Sequence, residues 1–267
     1  MDGPALPTVS ARANRGAESW PGNPTHSVGG AIERLQARLQ EAASEKTKDW
    51  WERYLKGAAS FRGVPMPVIR STLRSWYTEE GLDDAPAGDR KQLALDLLAE
   101  NYSEDKLAGV LLLREHILAE LTIYDIPSFA GAFHAGHIAD WSVCDWFSVK
   151  VLSALIERDG RPMAEALAAW TRSDPLWQRR AAAVGLAPLA PRGDQNFEGF
   201  VELSIDVARA NVRDDGRFMQ TSVGWLLREL SKTDPSAVQE FVREHERLLS
   251  REAHRMAVAK IEGRGRR

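Results

Sequence analysis

One cysteine, Cys144, stands in 267 residues, which excludes a disulfide framework and any zinc site built from several thiolates. Long apolar runs are missing as well. The densest, from Val110 to Leu113, is cut by Arg114 and Glu115, far short of the ~20 apolar residues that span a bilayer. Alternating β-branched stretches bounded by turns, the mark of strands, are nearly absent. So are a glycine-rich phosphate loop, a nucleophile elbow and zinc-finger spacing. The N-terminus shows no basic segment leading into an apolar one, so no secretory signal is read there and the expected location is the cytoplasm. A basic excess is lacking too: 35 Lys and Arg face 38 Asp and Glu, a net of −3. Bulk charge therefore gives no support to a nucleic-acid partner. The charge is uneven, however. Residues 161–267 hold 18 basic and 15 acidic side chains, residues 1–160 hold 17 and 23, so a local basic surface is expected only in the C-terminal half.

Core material is ample, at 43% hydrophobic residues, enough for one large domain or two small ones. Residues 1–28 carry Pro4, Pro7, Pro21 and Pro24 with little apolar periodicity and read as a disordered tail. A helical domain is expected over 29–262, followed by a short basic tail, 263–267, with Arg264, Arg266 and Arg267. Within the domain, apolar residues step by three and four: Ile32, Leu35 and Leu39; Leu107, Val110, Leu111, Ile117, Leu118 and Leu121; Val149, Leu152, Leu155 and Ile156; Val223, Leu226, Leu227 and Leu230. Ser103 precedes an acidic first turn, and Asp174-Pro175 and Asp234-Pro235 place a capping residue before a first-turn proline. Gly81, Gly160 and Gly185 are expected to end or bend helices. The reading is an all-α chain of about twelve helices of roughly 10–20 residues. The segments 107–121 and 141–156 are apolar enough to be buried between neighbours. Stacked helix pairs achieve that, as in HEAT-like arrays with a period of about 40 residues, so a helical-repeat solenoid (α-α superhelix) with a concave groove is expected.

Nine tryptophans supply a candidate site. Trp141 and Asp145 stand at i and i+4, Trp177 and Arg180 at i and i+3, Trp225 and Arg228 at i and i+3, each pair on one face of its helix. The tryptophans are 36 and 48 residues apart, close to the period of a helix-pair array, so equivalent helices could project them into one groove. Core anchoring explains any single tryptophan at such spacing. Three pairs together suit a further chemistry: indole faces against a sugar and a cationic base, a carboxylate beside a developing positive charge, arginines on phosphates.

At these residues the chain resembles the DNA alkylation repair proteins, AlkD-like HEAT-repeat DNA glycosylases. The resemblance spans about residues 48–261 and rests on four segments. They are Trp51-Glu52-Arg53-Tyr54-Leu55-Lys56-Gly57 with Phe61-Arg62-Gly63-Val64; Asp140-Trp141-Ser142-Val143-Cys144-Asp145; Leu176-Trp177-Gln178-Arg179-Arg180-Ala181-Ala182; and Gly224-Trp225-Leu226-Leu227-Arg228-Glu229-Leu230 with Lys232-Thr233-Asp234-Pro235. The last two are the most specific. Ser142 and Cys144 depart from the family's Trp-Asp-x-Val-Asp pattern, Val64-Pro65-Met66-Pro67 stands where relatives often carry polar residues, and about six extra residues fall around 188–196. The resemblance implies release of N3- or N7-alkylated purines from duplex DNA without base flipping, by a monomer that needs no cofactor and no metal. It implies Asp145 as catalytic carboxylate and Trp141 and Trp225 as the aromatic cleft around the sugar. It makes Arg180 a backbone contact near the lesion, with Arg179, Arg228, Tyr54 and Lys56 as further DNA contacts. The alternative is a non-catalytic HEAT-like scaffold that binds DNA or a protein.

Other signals carry less. His134 and His137 at i, i+3 lack a third residue at metal-ligand spacing. Cys144 reads as a small buried residue rather than a nucleophile. Arg53, Lys56 and Arg62 suit phosphate contacts or a solvated basic face, and the acidic segment 79–105 is expected to face away from phosphate.

Overall fold

The computed structural model describes residues 28–262. The expected tails, 1–28 and 263–267, lie outside the described residues except for Val28, which opens the first helix. Fourteen α-helices follow one another, and among the described residues there is no strand, only an isolated bridge between Ser60 and Tyr102. They are α1 (Val28–Glu41), α2 (Glu45–Tyr54), α3 (Met66–Glu79), α4 (Ala87–Ala99), α5 (Ser103–Leu112), α6 (Ile126–His134) and α7 (Trp141–Phe147). Then come α8 (Ser153–Asp159), α9 (Arg161–Ala168), α10 (Leu176–Leu186), α11 (Phe200–Asn211), α12 (Arg217–Leu230), α13 (Pro235–Glu244) and α14 (Arg251–Glu262).

The helices are more numerous and shorter than the periodicity predicts, because two long apolar segments change their winding midway. Segment 103–120 passes from α5 into a π turn, Leu113–Ile117, and a 3-10 turn, Leu118–Glu120. Segment 141–159 is one rod whose middle, Ser148–Leu152, is a π turn between α7 and α8. A π turn leaves carbonyls off their usual partners. Here Ser148 Oγ donates to the Cys144 carbonyl at 2.7 Å, and Ser153 Oγ donates to the carbonyls of Ser148 (3.2 Å) and Gly185 (2.6 Å).

Gly185 stands one residue before the end of α10, as expected. Two sequence signals shift. Ser103 is the first residue of α5 with its hydroxyl unpartnered, while Tyr102 takes the capping position. Asp174 leaves the cap of α10 to Pro175 and offers its carbonyl to Arg179. Asp234 does cap α13, accepting from Ala237 N at 2.9 Å, and Gly81 and Gly160 do follow helix ends. The region around 188–196 is a 3-10 segment, Ala190–Gln195, tied back by Arg192 to Glu157 at 2.8 Å.

The helices pack in two rows. In the front row α1 touches α3, α3 touches α5, then α5 with α7, α7 with α10, α10 with α12 and α12 with α14. Behind it α4 packs on α6, α9 on α11 and α11 on α13, while α4, α11 and α13 also reach α5, α12 and α14. The apolar steps read from the sequence point between these rows: Leu35, Leu39, Leu97, Val110, Leu152, Leu155, Val223 and Leu227 are all fully buried. Helix α12 lies close on α14. A Cβ on Gly224 would fall 2.9 Å from the Ala253 Cα, so only glycine lets these backbones approach.

The end of the acidic segment is absorbed internally, while Asp83, Asp84 and Asp89 are exposed. Glu104 accepts from the backbone N–H groups of Arg62, Gly63 and Val64 at 3.0, 2.8 and 3.1 Å. Asp105 pairs with the Arg62 guanidinium at 2.5 Å, and that guanidinium lies 4.1 Å from the centre of the Tyr102 ring. Burial pushes the Asp105 carboxyl up against the opposing pull of Arg62. Arg62 is therefore buried and engaged, which removes it from the candidate phosphate contacts. The loop it belongs to holds a second constraint. Gly63 has φ +92°, and a Cβ there would lie 2.2 Å from the Ser44 carbonyl oxygen and 2.7 Å from Lys48 N.

Gly63→Ala combines a positive φ with a backbone clash, and is expected to cost about 2–4 kcal/mol in urea unfolding with the denaturant slope unchanged. Gly88→Ala, in α4 with open space around it, should be neutral or stabilise by about 0.4–1 kcal/mol. Equal midpoints for the two variants would overturn the clash.

Candidate active site on the front row

Asp140 begins the site. Its carboxylate accepts from Ser142 N (2.7 Å) and Val143 N (3.0 Å), satisfying two orphan donors at the start of α7. Burial pushes this carboxyl up, and the two N–H groups pull it down. Lys106 stands nearby with its ammonium donating to the Leu98 (2.8 Å) and His137 (2.7 Å) carbonyls, and burial lowers it. The cap fixes where α7 starts, and therefore which face Trp141 and, one turn later, Asp145 present.

Asp145 meets Arg180 of α10 in a two-pronged pair. Arg180 Nε donates to Oδ1 and Nη2 to Oδ2, both at 2.8 Å. The third nitrogen of the same guanidinium turns to α12, donating to the Phe218 carbonyl and to Thr221 Oγ1 (3.1 Å). The Arg180 side chain is 6% exposed and that of Asp145 17%, so the carboxylate is the half of the pair that reaches solvent. One cation thus joins α7, α10 and α12.

Aromatic groups line both ends of this chain of contacts. Tyr54 of α2 meets the Trp141 ring edge-on, with centroids 5.4 Å apart. Trp177, one turn before Arg180, packs on Phe218 at 4.9 Å. On α12, Phe218, Thr221 and Trp225 stand at i, i+3 and i+7, one face of the helix, and Trp225 is partly buried against the core. Cys144 lies wholly inside, its thiol donating to the Trp177 carbonyl at 3.3 Å, and burial pushes the thiol well up, so it is no nucleophile.

The structure thus brings together Trp141, Asp145, Arg180 and Tyr54, and sets Trp225 one turn beyond Thr221. Other predicted contacts are engaged elsewhere. Arg179 donates to the Ser173 carbonyl at 2.9 Å and to Asp214 at 2.8 Å. Arg228 pairs with Glu229 at 2.8 Å, and that carboxylate also takes Lys232. Lys56, exposed after the end of α2, has φ +53°. Two positions beside the candidate site escaped sequence reasoning. Thr221 carries no motif, and its signal lies only in its place on the Trp225 face. Trp50 lies just before a recognised segment, and only its exposure separates it from an ordinary apolar residue. Among the described residues no group of three or more His, Cys, Asp or Glu is placed to hold a metal ion, and no helix is long and apolar enough to cross a membrane.

Comparison with known proteins gives the arrangement a context. The family described as DNA alkylation repair enzyme matches residues 35–261. A solved structure described as a predicted DNA alkylation repair enzyme from Enterococcus faecalis superposes with a TM-score of 0.70 at 20% identity, over 82% of this chain and 97% of that one. At that identity it shows a shared fold. No curated protein sequence matches.

Breaking a buried pair leaves one charge uncompensated. Arg180→Ala is therefore expected to cost about 3 kcal/mol in denaturant unfolding. Arg179→Ala, whose partner Asp214 is partly solvated, should cost less than about 1 kcal/mol. Equal losses would show that Arg180 is not the joint between helices.

Proposed function

The chain belongs to the DNA alkylation repair enzyme family, and we propose that it is a monofunctional DNA glycosylase. In this reading it hydrolyses the N-glycosidic bond of N3- or N7-alkylated purines in duplex DNA without flipping the base. The two rows of helices form a HEAT-like superhelix, and duplex DNA lies along the front row. Asp145 is the catalytic carboxylate. Trp141 and Trp225 flank the deoxyribose, and Tyr54 and Lys56 contact the flanking strand. Arg180, spent on Asp145 and α12, holds the carboxylate and is not free for a phosphate, and Arg179 and Arg228 reach the strand only on release from Asp214 and Glu229.

The observation that carries this reading is the carboxylate of Asp145, gripped at both oxygens by Arg180 at 2.8 Å, one turn from Trp141 and joined through Thr221 to the face of Trp225. Chemistry supplies the rest. An N3- or N7-alkylpurine is already a cation, so breaking the bond from C1′ to the ring nitrogen releases a neutral base that takes the bonding electrons. The sugar becomes oxocarbenium-like. A fixed carboxylate beside C1′ stabilises that charge, and indole faces add to it. Water attacks C1′ and gives up its proton, with Asp145 placed to orient it. Because the leaving group needs no protonation, the step needs no metal or organic cofactor. The Arg180 fork removes the carboxylate's rotational freedom before substrate arrives, so less reorganisation remains in the transition state.

The alternative, a non-catalytic HEAT-like scaffold for DNA or protein, draws support from the same pair, since both oxygens of Asp145 are already engaged. One assay separates the two: incubation with methylated DNA, then alkaline cleavage of abasic sites. Asp145→Asn should lower release of 7-methylguanine or 3-methyladenine about 100-fold or more, with duplex affinity and helical circular dichroism retained at the assay temperature but a lower denaturant midpoint, because Arg180 loses its counter-charge. Trp141→Ala and Trp225→Ala should slow release by about tenfold, roughly 1.4 kcal/mol of barrier. Release by Asp145→Asn equal to that of the unaltered protein refutes the assignment.

A further inference from the structure

Helix α2 is unlike its neighbours in that none of its side chains is fully buried. Two large rings on it face solvent side by side: Trp50 is 52% and Tyr54 54% exposed. They stand at i and i+4 and lie parallel, with centroids 5.2 Å apart and planes 14° off. Exposed aromatics that stack on each other, instead of turning inward, mark a contact surface. The stack is anchored from behind. Trp51 meets Trp50 edge-on at 4.7 Å and lies flat on Phe61 at 5.6 Å, and the loop that carries Phe61 is clamped by Glu104. Tyr54 leads directly to Trp141, so the surface is continuous with the wall of the candidate site.

The charges around the stack restrict its occupant. Lys46, Trp50, Arg53 and Tyr54 stand at i, i+4, i+7 and i+8 and share one face of α2, with Arg53 at its border, where it also lines a shallow hollow with Asp49 and Glu52. Asp49 and Glu52 fall on the adjoining face with Lys56. Flat π surfaces flanked by Lys46 and Arg53 suit a planar base on a phosphate chain, for which stacking on an aromatic contributes about 1–3 kcal/mol per base. An apolar protein partner would leave both cations to be desolvated.

We propose that the Trp50 and Tyr54 stack is a nucleobase platform: it takes one unpaired base of the bound DNA, next to the position where Trp141 and Asp145 meet the sugar. The inference rests on the glycosylase reading for the path of the DNA, but it concerns binding alone. An intact pair keeps its bases inside the duplex, whereas a base left opposite a missing or displaced partner is free to rotate out. The platform would therefore make the protein favour sites where pairing has failed.

The test uses two fluorescein-labelled duplexes of identical length, one fully paired and one with a single base opposite a stable abasic analogue, titrated with the full chain by fluorescence anisotropy. The unaltered protein is expected to bind the second about tenfold more tightly. Trp50→Ala should bring that ratio close to one while leaving affinity for the paired duplex within about twofold, and Trp50→Phe should restore most of the preference. Circular dichroism checks that the variants fold. A ratio of one in the unaltered protein, or a ratio unchanged in Trp50→Ala, overturns the platform. So does an equal loss on both duplexes, which would assign the indole to backbone contact. A shift in sedimentation of the free protein on Trp50→Ala, with the ratio retained, would assign the face to a second copy and equally overturn it. Neither duplex contains a cleavable lesion, so these outcomes are independent of whether Asp145→Asn abolishes excision.

Discussion

A single guanidinium holds the front row in register. Arg180 is buried almost completely, and an isolated charge there would be costly to desolvate. Its donors are met from two other helices, twice by the Asp145 carboxylate on α7 and twice by the Phe218 carbonyl and Thr221 on α12, and the arginine itself is rooted in α10. Lysine could not reproduce this, because a point charge lacks the planar fork that grips both oxygens while turning a third nitrogen elsewhere. The geometry fixes the carboxylate's orientation as well as its place. Asp145 cannot rotate without leaving Arg180 unpaired, and the site and the helix packing therefore share one interaction.

That constraint depends on the start of α7. The Asp140 cap sets the first residue of the helix, and every later side chain follows at 100° per residue. The π turn after Phe147 then widens the rod where Ser148 and Ser153 can meet its displaced carbonyls. Such widened turns recur beside functional groups because they re-aim one face of a helix relative to the next. Here the re-aimed stretch separates the face bearing Asp145 from α8, which turns into the core with Leu155 and Ile156 buried.

The helices themselves were legible in the sequence, because periodic apolar residues and the Asp234-Pro235 cap are local signals that tertiary packing reinforces. Their ends were less so. The π turns at 113–117 and 148–152 have no compositional mark. Within the site, Asp145, Arg180 and the tryptophans were readable from spacing and from family resemblance. What spacing could not give was the partner of each charge. Arg62 looks as available as Arg53 in sequence, yet Asp105, 43 residues away, buries it. Arg228 and Arg180 occupy equivalent places beside tryptophans, yet one spends its charge on its neighbour Glu229 and the other bridges three helices. Pairings between distant segments are set by the fold, and no local pattern encodes them.

The same pairings change the meaning of the net charge. The N-terminal half is acidic by count, which argues against a polyanionic partner. The structure pairs many of these carboxylates locally, which leaves the excess on other surfaces: Glu79 with Arg38, Glu80 with Arg34, Asp105 with Arg62, Glu115 with Arg70 and Arg74, Glu120 with Arg90, Asp125 with Lys91. Glu104 is consumed by backbone N–H groups. These carboxylates act at contact distance on their own partners, and beyond a Debye length of about 8 Å at physiological salt each neutral pair contributes little field. On α2, Lys46, Lys48 and Arg53 stand beside Glu45, Asp49 and Glu52, so what a phosphate chain meets there depends on the face it approaches, and the face of Trp50 is the one that holds Lys46. Electrostatic fit to DNA is therefore decided by which charges remain unpaired on one surface, and a total of −3 does not oppose it.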